Sequence, residues 1–249
     1  MVVIPREHGP RYGPRYGYIV NVSKTWLVVK EPSHVAAVAL FQDTGIKITT
    51  DGRPLLGAHI GTNQYTSDFI SQKVEEWSHE IDALANIARV HPHPAYTAYT
   101  HGQANKWVYQ ARVSEDCSDH FQKLESVIRT KLLPAVCNRA PSDVERELIG
   151  LPTRLGGLEV HNPAQIAKSL DWSAVIVTEP LVDHALQHQN NRHNDDDDRQ
   201  ADPAFEEALG HQRDAVKQAR QAWDTGVQEK PKSLCERLGH DSTAALAMR

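Results

Sequence analysis

The chain has 249 residues, with 27 Lys and Arg against 32 Asp and Glu, for a formal net charge of −5. That length suits one or two domains, and a 40% hydrophobic content supports a packed core. No apolar run approaches the roughly 18 residues a membrane span needs, and the pI near 6.3 lies well below the value of about 9 common in self-sufficient nucleic-acid-binding domains.

The acidic excess sits after Val182, so the body of the chain is nearly neutral. Residues 1–10 carry charges and prolines where a signal peptide would be apolar. Cys117, Cys137 and Cys235 are odd in number and far apart, which argues against a disulfide framework. They suit a reducing compartment, so the expected location is intracellular, cytoplasmic or nuclear.

Residues 1–20 contain a short duplication, GPRYGPRYG at 9–17, whose Pro and Gly prevent regular structure, so a flexible segment is expected. Residues 24–30 (KTWLVVK) read as a strand buried on both faces. Pro32 suits the first position of a helix through Val35, Val38, Ala39 and Leu40, and Gly45 suits its left-handed cap. Residues 47–50 and 53–60 flank Asp51-Gly52 and read as a β-hairpin turning at that pair.

From Gly61 the period changes. Thr66 is the expected N-cap, with Asp68 in the first turn. Ile70, Val74, Trp77, Ile81, Leu84 and Ala88 form one apolar stripe at three- and four-residue steps. The HPHP run at 91–94 breaks that helix. Further helices are expected over about 95–113 and 118–134, with shorter ones near 144–149 and 163–177. Residues 188–203, with aspartates at 195–198, read as a disordered linker. Residues 204–225 read as a charged helix with little apolar face, and 231–249 as the start of another.

Three phrases carry a resemblance. NVSKT at 21–25, followed by the apolar strand, resembles the fourth conserved palm motif of reverse transcriptases of non-LTR-type retrotransposons. LLGAHIG at 55–61 resembles their primer-grip hairpin. LPTRLGGL at 151–158 is similar to the Gly-Gly-Leu phrase found beyond the thumb. Order and spacing agree over roughly residues 9–181, and the three are specific as a set where each alone is weak.

The resemblance implies an α+β fold. Residues 21–61 would be a strand-helix-hairpin remnant of the palm, 62–182 an all-helical thumb-like and connection region, and 183–249 a largely disordered acidic tail with a charged helical part. It implies an RNA-directed DNA polymerase of a mobile element as parent, with primer–template nucleic acid as partner and no membrane. The primer grip would use Leu56, Gly57, Ala58 and Gly61. Lys24 would approach the phosphates of an incoming nucleotide. Lys73, Lys106, Arg112 and Lys123 are candidates for the nucleic-acid backbone.

One departure matters. Such enzymes hold two Mg²⁺ ions on aspartates that precede the Lys-Thr strand, because hard cations that clamp attacking and leaving oxygens need carboxylates. Only 23 residues precede Lys24, and none is an aspartate. Asp195 to Asp198 have no flanking strands to fix them. The chain is therefore expected to handle a primer–template duplex without catalytic aspartates or a bound metal of its own, Mg²⁺ and the polymerase portion N-terminal to these motifs belonging to an intact parent enzyme.

Each assignment has a plainer counterpart. Lys24 reads more simply as a surface lysine at a strand start, since no nucleotide site remains for it to serve, and the plainer counterpart of the primer grip is an ordinary bulged hairpin. Acidic residues interleave with the basic ones, which also fits a salt-bridged surface. Tyr96, Tyr99, Trp107 and Tyr109 could stack on bases, but their helical spacing favours core. Asp183, His184, His188 and His193 could gather around zinc, yet no cysteine lies near and no metal is assigned. A non-enzymatic nucleic-acid-binding or scaffold protein derived from a mobile element is the alternative reading.

Overall fold

The computed structural model describes residues 21–187 and 203–240. The expectations for residues 1–20, 188–202 and 241–249 lie outside the described residues, as do His188 and His193. The chain divides into two compact units, Met1–Gln72 and Lys73–Arg249. Among the described residues it is mostly helical, with a small strand component confined to the first unit, an α+β composition. No helix among the described residues is long and apolar enough to cross a membrane.

In the first unit, strand β1 (Trp26–Val28) leads through a turn at Glu31–Ser33, with Pro32 near its start, into helix α1 (His34–Phe41). Gly45 then reverses the chain at φ 71°, and β2 (Lys47–Thr49) pairs parallel with β1, Leu27 opposite Ile48. The helix supplies the crossover that parallel strands require. Only Leu27 of β1 is buried, so the strand is covered less completely than its apolar run suggests.

The hairpin is real but turns elsewhere. Strands β3 (Gly52–Leu55) and β4 (Ala58–Gly61) are antiparallel and joined by Leu56-Gly57, not by Asp51-Gly52. The reason is that residues 47–49 are committed to β1. Gly52 serves spacing instead of turning: it pairs with Gly61, and a Cβ on it would lie 2.5 Å from the Tyr65 ring. The Asp51 carbonyl accepts from the Thr62 N–H at 2.7 Å.

Helix α2 (Asn63–Ala88) begins earlier than Thr66, because the Thr62 hydroxyl accepts the Tyr65 N–H at 3.2 Å and caps the helix there. In the second unit its stripe buries Val74, Trp77, Ile81, Ala85 and Ala88, with Leu84 half-buried. After the break at His91 come α3 (Pro92–Ala98), a π-helical turn (Tyr99–Gln103) and α4 (Ala104–Val113). Helix α5 (Ser118–Val127) passes through a second π turn (Ile128–Leu132) into α6 (Leu133–Cys137), ending at left-handed Asn138. Pro134 has no N–H to continue the ladder, which accounts for the second widening. Trp107 and Trp77 each meet Phe121 edge-on, with centroids 6.2 and 6.3 Å away. This aromatic group, with Tyr99, Leu124 and Ile128, is the centre of the core.

Helix α7 (Asp143–Ile149) opens on a capping box. The Ser142 hydroxyl accepts from the Glu145 N–H, and the Glu145 carboxylate accepts from the Ser142 N–H at 2.8 Å. Arg139 grips the same carboxylate through both terminal nitrogens, at 2.8 and 2.5 Å. Chiefly this hydrogen-bonded guanidinium holds the Glu145 carboxyl at about 2. A carboxyl depressed by folding contributes stability in full above its ordinary value of 4.5, and loses it as pH falls toward 2. Thermal melts should therefore show wild-type stability falling through that window more steeply than in Glu145→Gln. Parallel curves would mean the grip is absent in solution.

Helix α8 (Pro163–Gln187) does not stop near Val177 but continues through Pro180. Helix α9 (Pro203–His240) likewise runs on through Gly226 and Pro231. The charged helix expected over 204–225 is present and runs on to His240, so the expectation of a largely disordered tail is corrected over 226–240. Packing offsets the local cost of the prolines: His184 meets the Phe205 ring at 5.5 Å, Ala208 and Leu234 are buried, and Arg237 forks onto Glu147 at 3.0 and 3.2 Å.

Candidate nucleic-acid interface

The hairpin is the most distinctive surface feature of the first unit. Leu56 at φ 51° and Gly57 at φ 84° make a two-residue turn with both central residues left-handed, the type that matches strand twist. Glycine adopts this freely. A leucine there costs about 1–2 kcal/mol, and its side chain is 90% exposed. Leu55 and Ile60 are exposed beside it, so the tip is apolar as well as strained.

The base of the hairpin is held firmly. Tyr65 and Phe69, on the first two turns of α2, lie near Gly52 and His59, the His59 and Phe69 rings 5.0 Å apart. Burial lowers the pKa of His59 below the ordinary histidine value. The Arg53 guanidinium stacks on Trp26 of β1, 3.3 Å from its centroid, with the Lys47 ammonium 5.2 Å away.

Ala58 follows the turn as the first residue of β4, opposite Leu55. Gly61 has a different role from Gly57. A Cβ on Gly61 would sit 2.4 Å from the Asp51 carbonyl oxygen and 2.7 Å from the Gly52 Cα. The close backbone approach at Gly61 is therefore made within the hairpin. Lys24 ends a short turn, Val22–Lys24, ahead of β1, and its side chain is exposed.

The basic candidates lie in the second unit, and most are engaged. Lys73 pairs with Glu76 at 2.6 Å and Lys106 with Glu80 at 2.7 Å. Lys123 pairs with Glu75, and Lys131 with Asp82 at 2.8 Å. The acids of α2 thus collect cations from α4 and from the α5–α6 run, and the Lys123 hydrogen bond holds the Glu75 carboxyl below its ordinary range. These pairs lie open to water and stabilise little, yet they neutralise charge that a phosphate backbone would need. Arg112 stands apart, lining a groove of about 810 Å³ among α4, α8 and α9 with His101, Val177 and Arg220. Tyr99 and Trp107 are core, as their spacing predicts; Tyr96 is half-buried and donates from its hydroxyl to the Leu158 carbonyl at 2.8 Å, and Tyr109 is exposed.

The third phrase, residues 151–158, is an internal latch. Gly156 is left-handed at φ 84°, and a Cβ on Gly157 would collide with the Leu151 carbonyl oxygen at 1.9 Å. Beneath it, Arg146 forks onto Glu125 with both contacts at 2.7 Å and donates to the carbonyls of Val160 (2.7 Å) and His161 (3.1 Å). Periodicity gives no hint of this arginine. The capping box that sets the phase of α7 was the available signal.

Among the described residues no group of His, Cys, Asp or Glu is placed to hold a metal ion. No family model, curated protein or solved structure matches the chain.

Proposed function

We propose that this chain handles the primer–template duplex of a retrotransposon-type reverse transcriptase, with the β3–β4 hairpin as primer grip and the helical unit as thumb. The observation that supports it is the tip itself. Strained backbone and an exposed apolar side chain on a well-anchored hairpin are features that persist where a surface contact uses them. Leu56 would lie against the sugars of the primer strand, and Gly57, with no side chain, would admit its backbone.

In this reading the 249-residue chain binds duplex without extending it. Nucleotidyl transfer needs paired metal ions on carboxylates, and the family's carboxylates precede a strand before which this chain has no aspartate. The pairing of Lys73, Lys106 and Lys123 with glutamates favours the scaffold form of the second reading, a non-enzymatic nucleic-acid-binding or scaffold protein derived from a mobile element.

Fluorescence anisotropy with a labelled primer–template separates the two. The first reading expects binding that weakens steeply with salt. It also expects Leu56→Asp, which sets a carboxylate against phosphates, to lower affinity at least about tenfold with folding unchanged. Adding Mg²⁺ and nucleotides should yield no extended product. Affinity indifferent to Leu56→Asp, or primer extension by the purified chain, would overturn it.

A further inference from the structure

We infer that α8 carries a homodimerisation seam that pairs antiparallel with α8 of a second copy of this chain. Lys168, Trp172, Val175, Glu179, Val182 and Leu186 follow one another at steps of four, three, four, three and four residues. At about 100° per residue such steps keep all six within one narrow stripe. All six are exposed, and the four apolar ones each show more than half of their surface. The opposite side of α8 is already used, since Ile166, Ser173 and Val177 face the groove shared with α4 and α9; Ala167 on the flank is buried, and so is Ala164, in line with the stripe one turn before Lys168, which sets where the exposed seam begins.

An apolar stripe alone would not name its occupant; the charges in it do. Trp172, Glu179 and Leu186 occupy a positions of a heptad, and Lys168, Val175 and Val182 occupy d positions. In an antiparallel pair, a residues meet d residues of the other helix. Setting Trp172 against Val175 of the second copy brings Lys168 opposite Glu179 of that copy, and the two-fold axis repeats both contacts. Two Trp–Val layers are then flanked on each side by a Lys–Glu pair, with Val182 opposite Gln165 beyond them.

Other arrangements conflict. Parallel pairing sets Glu179 against Glu179 and Lys168 against Lys168. Antiparallel registers one heptad or two heptads along press Glu179 onto Val175 or Val182, leaving a carboxylate on an apolar surface. Within its own chain neither Lys168 nor Glu179 makes an ion pair among the described residues. The Asp116 carboxyl is held low mainly by Ser118, and the pull of Lys168 is its smallest cause.

The inference stands apart from nucleic-acid binding, so it is tested without nucleic acid. Sedimentation equilibrium of the whole chain should show a reversible dimer. Glu179→Lys should raise its dissociation constant at least about tenfold, since two favourable contacts become two like-charge ones. Lys168→Glu combined with Glu179→Lys should restore association. Circular dichroism identical to wild type would show that each variant keeps its helices. A monomer at every concentration, a dimer insensitive to Glu179→Lys, or a charge swap that fails to rescue in a folded protein would overturn the seam.

Discussion

Replacing Arg146 with alanine should destabilise the helical unit by about 3–5 kcal/mol, the scale on which buried ion pairs respond to losing one partner. Arg146 is 4% exposed and Glu125 is buried against it, joined by two 2.7 Å contacts. Removing the guanidinium leaves the Glu125 carboxylate without its counter-charge in a dry setting. It also strips donors from the Val160 and His161 carbonyls, which hold the latch against α7. The Glu125→Leu, Arg146→Met double variant should be less destabilised than Arg146→Ala, because it removes both charges at once. Urea denaturation of the three proteins measures this. A single-variant loss below about 1 kcal/mol, the scale of exposed pairs, would show that the pair lies open to solvent.

Trp107→Ala should cost a similar amount, about 3–5 kcal/mol. Trp107 has no exposed surface, and it meets Phe121, which in turn meets Trp77, so the truncation opens a cavity where three helices converge. Tyr109, two residues on along the same helix, is exposed. Tyr109→Ala should lie within about 0.5 kcal/mol of wild type, as surface substitutions usually do. Equal losses for the two would mean that α4 is rotated from the orientation described.

The contrast between these two aromatics shows what the sequence makes legible. The stripe of α2 and the core role of Tyr99 and Trp107 follow from three- and four-residue spacing, because a helix converts spacing directly into facing. Gly45 and the HPHP break are equally local signals. The hairpin does not turn at Asp51-Gly52, because that strong local signal loses to a long-range one: residues 47–49 pair parallel with residues 26–28 across an intervening helix. The continuation of α8 past Pro180 and of α9 past Pro231 runs against local propensity. It depends on the burial of Ala208 and Leu234 and on the Arg237–Glu147 pair, tertiary contacts that a window of sequence does not show.

The candidate site divides in the same way. The phrase at 55–61 marks the hairpin, and its Leu-Gly pair proves to be the turn itself. The left-handed leucine and its exposure are visible only once strand register is known. The basic candidates were legible as residues but not as free charges, because whether Lys106 or Lys123 faces solvent or an acid on α2 is settled by helix packing. Arg112 makes no such pair among the described residues and lines one groove with Arg220, from which the sequence places it more than a hundred residues away.

The proposed contact between tip and primer can be tested directly by crosslinking. A primer–template duplex carrying a photoreactive nucleotide at the primer 3′ end, irradiated with the chain, should yield an adduct that peptide mapping places within residues 52–61, and Leu56→Asp should suppress it. Adducts falling only on the helical unit, or a hairpin peptide recovered unmodified from a complex that forms, would contradict the assignment of this hairpin to the primer strand.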